Sequence, residues 1–223
     1  MADTLVNKFS TEASANTDET ITDALGSAEV LTVLSISICN THASTDTTFD
    51  LRIDVSGGTD GYIYLNQSLP AKSTFIHNSK IVLKQNDTLV FQTSAAVTCN
   101  MVVSALKQTA VATSSGSDYL DRVILHDTSG SAAPITPDNV TDIKTVLAFT
   151  VCNKDVNTAT TFDAYVRNSG GTAFKIYEDQ SIPAASTFEH SDKIILVANE
   201  ELVFDQAASV EMDVVCSMLR QVP

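Results

Sequence analysis

The sequence predicts an all-β chain built as two tandem antiparallel β-sandwiches, jelly-roll or immunoglobulin-like in kind. Three observations predict it. The stretch Thr145 to Gln221 repeats Thr32 to Gln108 without a gap, at an offset of 152 − 39 = 113 positions and with roughly half the residues identical. Apolar residues in both copies recur at every second position, the signature of half-buried strands. Turn residues punctuate the chain every ~8–12 residues and no helical period appears between them, the pattern of a sandwich. A period this long marks a duplicated domain, because solenoid repeats run to about 20–50 residues. The expected modules are residues 1–112 and 113–223, each long enough to bury its own core.

The first module opens with a short apolar piece, Leu5 to Phe9, followed by an acidic and Thr-rich run from Thr11 to Glu29. The second opens with Tyr119 to Leu125 and the loop His126 to Asp142. These lead-ins do not align without gaps, and long loops of this kind are usual places for partner contacts. In the repeated body, Leu34, Ile36 and Ile38 alternate with Ser35, Ser37 and Cys39, and Leu147, Phe149 and Val151 do the same in copy two. The next strand sets Phe49, Leu51, Ile53 and Val55 against Asp50, Arg52 and Asp54, then stops at Gly57-Gly58, where positive φ is free of steric cost. A third strand covers Tyr62 to Leu65 and a fourth starts near Phe75. Pro70 between them marks an edge or a corner, since it lacks a ladder N–H.

Ile81-Val82-Leu83 and Leu89-Val90-Phe91, around Gln85 to Thr88, read as a hairpin, as do their counterparts in copy two. The closing strand, Thr98 to Leu106 or Glu211 to Leu219, is apolar on both faces. Such a strand is central and covered twice, or it meets another subunit. Thr109 to Ser117 is small and polar, a linker composition.

Charge and cysteines bound the function. The formal net charge of −14 and the absence of a basic run exclude nucleic acid and anionic membranes as natural partners. No apolar segment approaches the ~18 residues of a membrane span, and the first residues lack the basic start and apolar core of a secretory signal. Of the four cysteines, Cys39 and Cys152 are equivalent, whereas Cys99 matches Met212 and Cys216 matches Val103. Cys216 lies four residues beyond the position a like bridge would need, about 13 Å along a strand. Disulfides need Cα atoms within about 7 Å, so free thiols are expected.

Candidate chemistry resolves into structure. His77 and His190 are equivalent but have no repeated second ligand, so a hydrogen-bonding or strand-edge role is expected rather than a metal site. Asp50 and Asp163 have no partner carboxylate and read as a solvated sheet face. The cluster Asp18 to Asp23 lacks the ligand order of a calcium loop. Ser56-Gly57-Gly58 and Ser169-Gly170-Gly171 lack the lysine and helix of a phosphate cradle. The sequons at Asn66, Asn86 and Asn139 follow from the Thr/Ser-rich composition, and scarce aromatics weaken a lectin reading. No catalytic, cofactor-binding or metal-binding residue is expected, and no enzyme.

The strings VLSISICN, TTFDLRIDVSGGT, YLNQSLPAKSTF, KIVLKQNDTLVF and VVSAL, with their second copies VLAFTVCN, SGGT, QSIPAASTF, IILVANEELVF and VVCSML, resemble a β-sandwich module of virion proteins of tailed bacteriophages, marine and cyanobacterial ones especially. The resemblance spans about 150 residues, omits both lead-ins and carries no catalytic residue. Copy two departs at the hairpin turn, with Glu200 for Asp87. The resemblance implies a structural virion component made in the host cytoplasm, decorating or stabilising a capsid or joining neck and tail parts. The implied partners are other virion proteins, major capsid or neck and tail, and further copies of the chain in a homo-oligomer. A tail-associated, glycan-binding adhesin is the alternative.

Overall fold

The computed structural model describes residues 2–109, 118–136, 141–168 and 171–222. The expected linker beyond Thr109, the Asn139 sequon and the Ser169-Gly170 pair lie outside them. All regular elements among the described residues are strands, paired antiparallel. The chain divides into two compact units, Met1–Val111 and Ala112–Pro223.

In the first unit, one sheet runs β1 (Ala2–Glu12), β9 (Cys99–Thr109), β3 (Glu29–Asn40) and β6 (Thr74–His77), with β7 (Ile81–Leu83) also on β3. The other runs β2 (Glu19–Thr20), β8 (Asp87–Thr93), β4 (Thr47–Val55) and β5 (Gly61–Leu69). The second unit repeats both. One sheet is β10 (Tyr119–Asp127), β18 (Met212–Gln221), β12 (Ile143–Asn153) and β15 (Ser186–His190), with β16 (Ile194–Leu196) on β12. The other is β11 (Ala133–Pro134), β17 (Glu201–Gln206), β13 (Thr160–Arg167) and β14 (Ala173–Ile182).

This wiring is a jelly roll rather than an immunoglobulin sandwich. Strands pair in nested order, β4 with β5, β3 with β6 and β7, β2 with β8, and β1 with β9, as though one long ribbon bent at β4–β5 had been rolled up. Each unit is therefore held by pairings between its two ends.

The expected hairpin at Ile81 to Phe91 is corrected by that order. β7 pairs with β3 and β8 with β4, so the tight turn closed by Asp87 N–H to Lys84 O (3.0 Å) carries the chain from one sheet to the other. Ile81, Val82 and Leu83 are all buried. A run apolar on every side has no face to specify a neighbour, and the distant partners win. Pro70 sits at the corner, as expected, where its carbonyl accepts from Ser73 N–H (3.2 Å) and Ser73 Oγ (2.6 Å).

Inward residues of the two sheets form the cores. In the first unit Phe49 packs on Phe91 (5.5 Å between centroids) and Phe75 (5.1 Å), with Tyr64 against Phe75 (5.0 Å). The second unit reproduces the cluster with Phe162, Phe204, Phe188 and Tyr177 at 5.0–5.3 Å. Bulges recur too: the register skips Leu34 and Leu147, and again Asp50 and Asp163.

Candidate functional site

Polar residues kept in both copies are where function would first be sought. The structure uses several of them to hold the scaffold. Asn40 ends β3 fully buried; its Nδ2 donates to Thr45 O (3.0 Å) and Leu69 O (3.2 Å), and its Oδ1 accepts from His42 N–H (3.0 Å). Asn153 does the same with Thr158 O (2.8 Å), Pro183 O (3.1 Å) and Asp155 N–H (3.1 Å). The Cys-Asn motif is thus a loop clamp, because a buried carboxamide must satisfy both its ends.

His77 and His190 are buried rather than exposed at a strand edge, and each pairs through Nδ1 with a tyrosine hydroxyl, Tyr64 at 2.8 Å and Tyr177 at 2.7 Å. Burial pulls the His190 imidazole below its ordinary pKa, so it is neutral at pH 7. Asp50 and Asp163 lie half-exposed on the outward faces of their sheets, as expected. Each sits on a bulge and accepts the N–H of a residue at positive φ on the neighbouring strand, Asn66 (2.7 Å) and Asp179 (2.8 Å). The two differ in electrostatics. Lys175 at 2.7 Å holds Asp163 below the usual carboxylate range, whereas burial pushes Asp50 up.

At the turn after β7, Asp87 Oδ2 accepts from Lys84 N–H (2.7 Å), and Glu200 Oε2 from the equivalent Val197 N–H (3.0 Å). The exchange of Asp for Glu leaves that bond in place. An ion pair is kept while both partners change, Glu29–Lys107 (2.9 Å) becoming Asp142–Arg220 (2.5 Å).

The lead-ins are equivalent as well, which sequence comparison missed. Glu19-Thr20 and Ala133-Pro134 pair with the same stretch of β8 and β17. Ile21 N–H then donates to Leu89 O (2.9 Å) and Ile135 N–H to Leu202 O (2.8 Å), while Thr22 and Thr136 hydroxyls accept from Leu89 and Leu202 N–H. The offset here is 135 − 21 = 114, and between β1 and β10 it is 124 − 9 = 115, since Phe9 and Ile124 face the equivalent Val102 and Val215. Two one-residue shifts hid the match. The shared Ile-Thr dipeptide and the Asp3/Asp118 and Leu5/Leu120 identities were its traces.

The acidic cluster is dispersed: Asp18 pairs with Arg52 (2.6 Å), Glu19 accepts from Ser10, and Asp23 pairs with Lys8. Arg52 also lies over the Tyr62 ring at 5.9 Å, so this divergent position too is consumed internally. No group of His, Cys, Asp or Glu among the described residues could hold a metal ion. Cys99 faces Asn40 across the ladder and Cys39 faces Asn100, which puts the two thiols on opposite sides of the sheet. Burial raises Cys99 to about 11 and Cys216 further, so both stay protonated.

Two features remain. A small depression opens at each carboxylate bulge, lined by Thr48, Asp50, Asn66 and Gln92 in the first unit. In the second, Thr161, Asp163, Asp179 and Asp205 take their places, so amides become carboxylates. The other is apolar. On the outward face of the first unit's larger sheet, the cross-strand row Phe9, Val102, Ser37, Ile76 exposes 74% of Phe9, 37% of Val102 and 58% of Ile76; Leu5, two positions along β1, is 76% exposed.

No family model and no curated sequence matches the chain. Solved structures similar to it include that of Sulfolobus Turreted Icosahedral Virus (14% identity, TM-score 0.30, 98% of this chain and 59% of that one). The chain thus spans less than two thirds of that protein. The major capsid protein P2 from bacteriophage PM2 is similar at 11% identity and TM-score 0.40, over 100% of this chain and 98% of that one. A tandem CBM22 domain of Paenibacillus barcinonensis Xyn10C is similar at 9% identity and TM-score 0.30, over 99% and 93%. At these values the likenesses carry no argument about function.

Proposed function

We propose that this chain is a non-enzymatic structural component of a virion, of the tailed-bacteriophage kind implied by its repeated strings, acting through protein–protein contacts. One observation carries the reading: Asn40/Asn153, Asp50/Asp163, Ser73/Ser186 and His77/His190, all preserved through the duplication, are spent on loop clamps, bulges, turns and buried pairs. A catalytic or ligand-binding protein duplicated in tandem would keep at least one constellation free for its task. What is left for function is surface. Jelly rolls serve in viral capsids and in lectins, so the wiring supports a capsid position, shell or decoration, ahead of neck or tail. The protein is made in the host cytoplasm, and its partners are the other virion proteins and its own copies.

Particles assembled without this protein provide the test. Purified chain added back binds them to saturation and does not adsorb to host cells. Adsorption to cells without binding to particles would refute the assembly role. A second reading, a receptor- or glycan-binding adhesin, is favoured by the polar depressions at Asp50 and Asp163. A glycan array would establish it by binding that Asp205→Ala or Gln92→Ala abolishes.

A further inference from the structure

We infer that the outer edge of β1, unpaired among the described residues, is a self-association surface, at which two copies of this chain pair β1 to β1 antiparallel about a two-fold axis at Asn7. The inference rests on the assembly reading above and narrows it to one strand. β1 is the outermost strand of its sheet and is paired with β9 over eleven consecutive residues without a register shift. It contains no proline and no bulge, two of the devices that blunt an edge, and its one lysine, Lys8, is paired with Asp23 on the inward row.

Charge selects the occupant. The chain carries −14, so most of its surface repels a second copy. On the outward face formed by β1, β9, β3, β6 and β7, Asp3 alone is charged among the residues placed there by the register. With the axis at Asn7, Leu5 of each copy meets Phe9 of the other, Asn7 meets Asn7, and Asp3 meets Thr11, so no like charges are directly opposed. The duplicate strand supplies the contrast. β10 puts Arg122 and His126 at the positions of Asn7 and Thr11, and begins its inward row with Tyr119 and Asp121. Both edge strands carry charge, but on β1 Lys8 and Glu12 lie on the inward row, where Lys8 pairs with Asp23, whereas β10 puts Arg122 on the outward row itself.

Area sets the strength. Eleven residues make an edge of about 36 Å, and at a depth near 10 Å it buries roughly 400 Å² per copy, half of the ~800 Å² of a standard interface. The association is therefore weak and concentration-dependent, suited to a contact repeated many times in a particle.

Sedimentation of the full chain over a range of concentrations reads it directly, with the apparent mass rising toward twice the monomer. Leu5→Lys with Phe9→Lys weakens association at least tenfold, and Ile195→Lys, at an exposed position of the second module, leaves it unchanged. Asn7→Cys gives a disulfide-linked dimer on mild oxidation, and Asp60→Cys does not. A chain that stays monomeric at high concentration, or an oligomer indifferent to the β1 changes, overturns the inference. Binding to particles lacking the protein is scored separately, so loss of self-association with retained particle binding overturns the β1 contact and spares the assembly reading.

Discussion

Asn40 and Asn153 show why a residue can be kept through duplication without any chemistry to perform. Each satisfies two carbonyls and one N–H in a place water does not reach. Truncation leaves those groups buried and unpaired, so Asn40→Ala or Asn153→Ala lowers stability by about 2–4 kcal/mol, read as a drop in the urea midpoint. Asn78→Ala, at an exposed position, changes it by less than about 0.5 kcal/mol. His190 gives a pH prediction with a definite sign. Its folded pKa lies below the ordinary 6.5 because burial disfavours the imidazolium. Above that pH neither state binds the proton. As pH falls through 6.5, the unfolded chain binds it first, and stability drops until the folded pKa is reached. Asp155 and Asp163, held below the usual carboxylate range, release their contribution only below about pH 3.8, a separate window. The urea midpoint at pH 5.5 is thus lower than at 7.5, and His190→Gln reduces the difference. An unchanged difference would show that His190 is not the group responsible.

Among elements, the lead-ins are the sharpest test of how the jelly roll closes. β2 and β11 are two residues long, yet they seat Ile21 and Ile135 in the cores and supply hydroxyls to Leu89 and Leu202 N–H. Thr22→Val and Thr136→Val remove an acceptor from a buried N–H and cost about 1–3 kcal/mol each. Hydrogen exchange at Leu89 or Leu202 accelerates accordingly; unchanged protection would mean the lead-in is not a working strand. The same elements mark what the sequence could convey. Alternation made β3, β4 and their copies legible, and Gly57-Gly58 correctly marked the β4–β5 hairpin. Pairing was not legible where residues are apolar on every side, which is why β7 and β8 read as a hairpin although they belong to different sheets. The bulges at Asp50 and Asp163 were not legible, because a bulge is a property of register between strands, and register is invisible along one of them. The outward apolar row was half-visible. Val102 and Leu106 announced a second apolar face on the closing strand, but Phe9 and Ile76 joined it only through pairings that span most of the module.

At the scale of the molecule, the chain comprises two jelly rolls with equivalent cores, clamps and closing ion pairs. We propose that each folds alone, since the long-range pairings that close it lie within its own unit. Fragments cut near Ser115 give cooperative unfolding transitions and β-type circular dichroism. An unfolded second half would show that the duplication made one domain instead of two. What distinguishes the copies is their surface: amides against carboxylates in the bulge depressions, and Asn7 on the outward row of β1 where β10 has Arg122. Such divergence suits a protein whose halves meet different neighbours in a particle. Copy number per virion, counted by quantitative mass spectrometry of purified particles, tests the assembly role most directly. Hundreds of copies are predicted for a capsid position, about 3–12 would move the protein to neck or tail, and absence from the particle would contradict the role altogether.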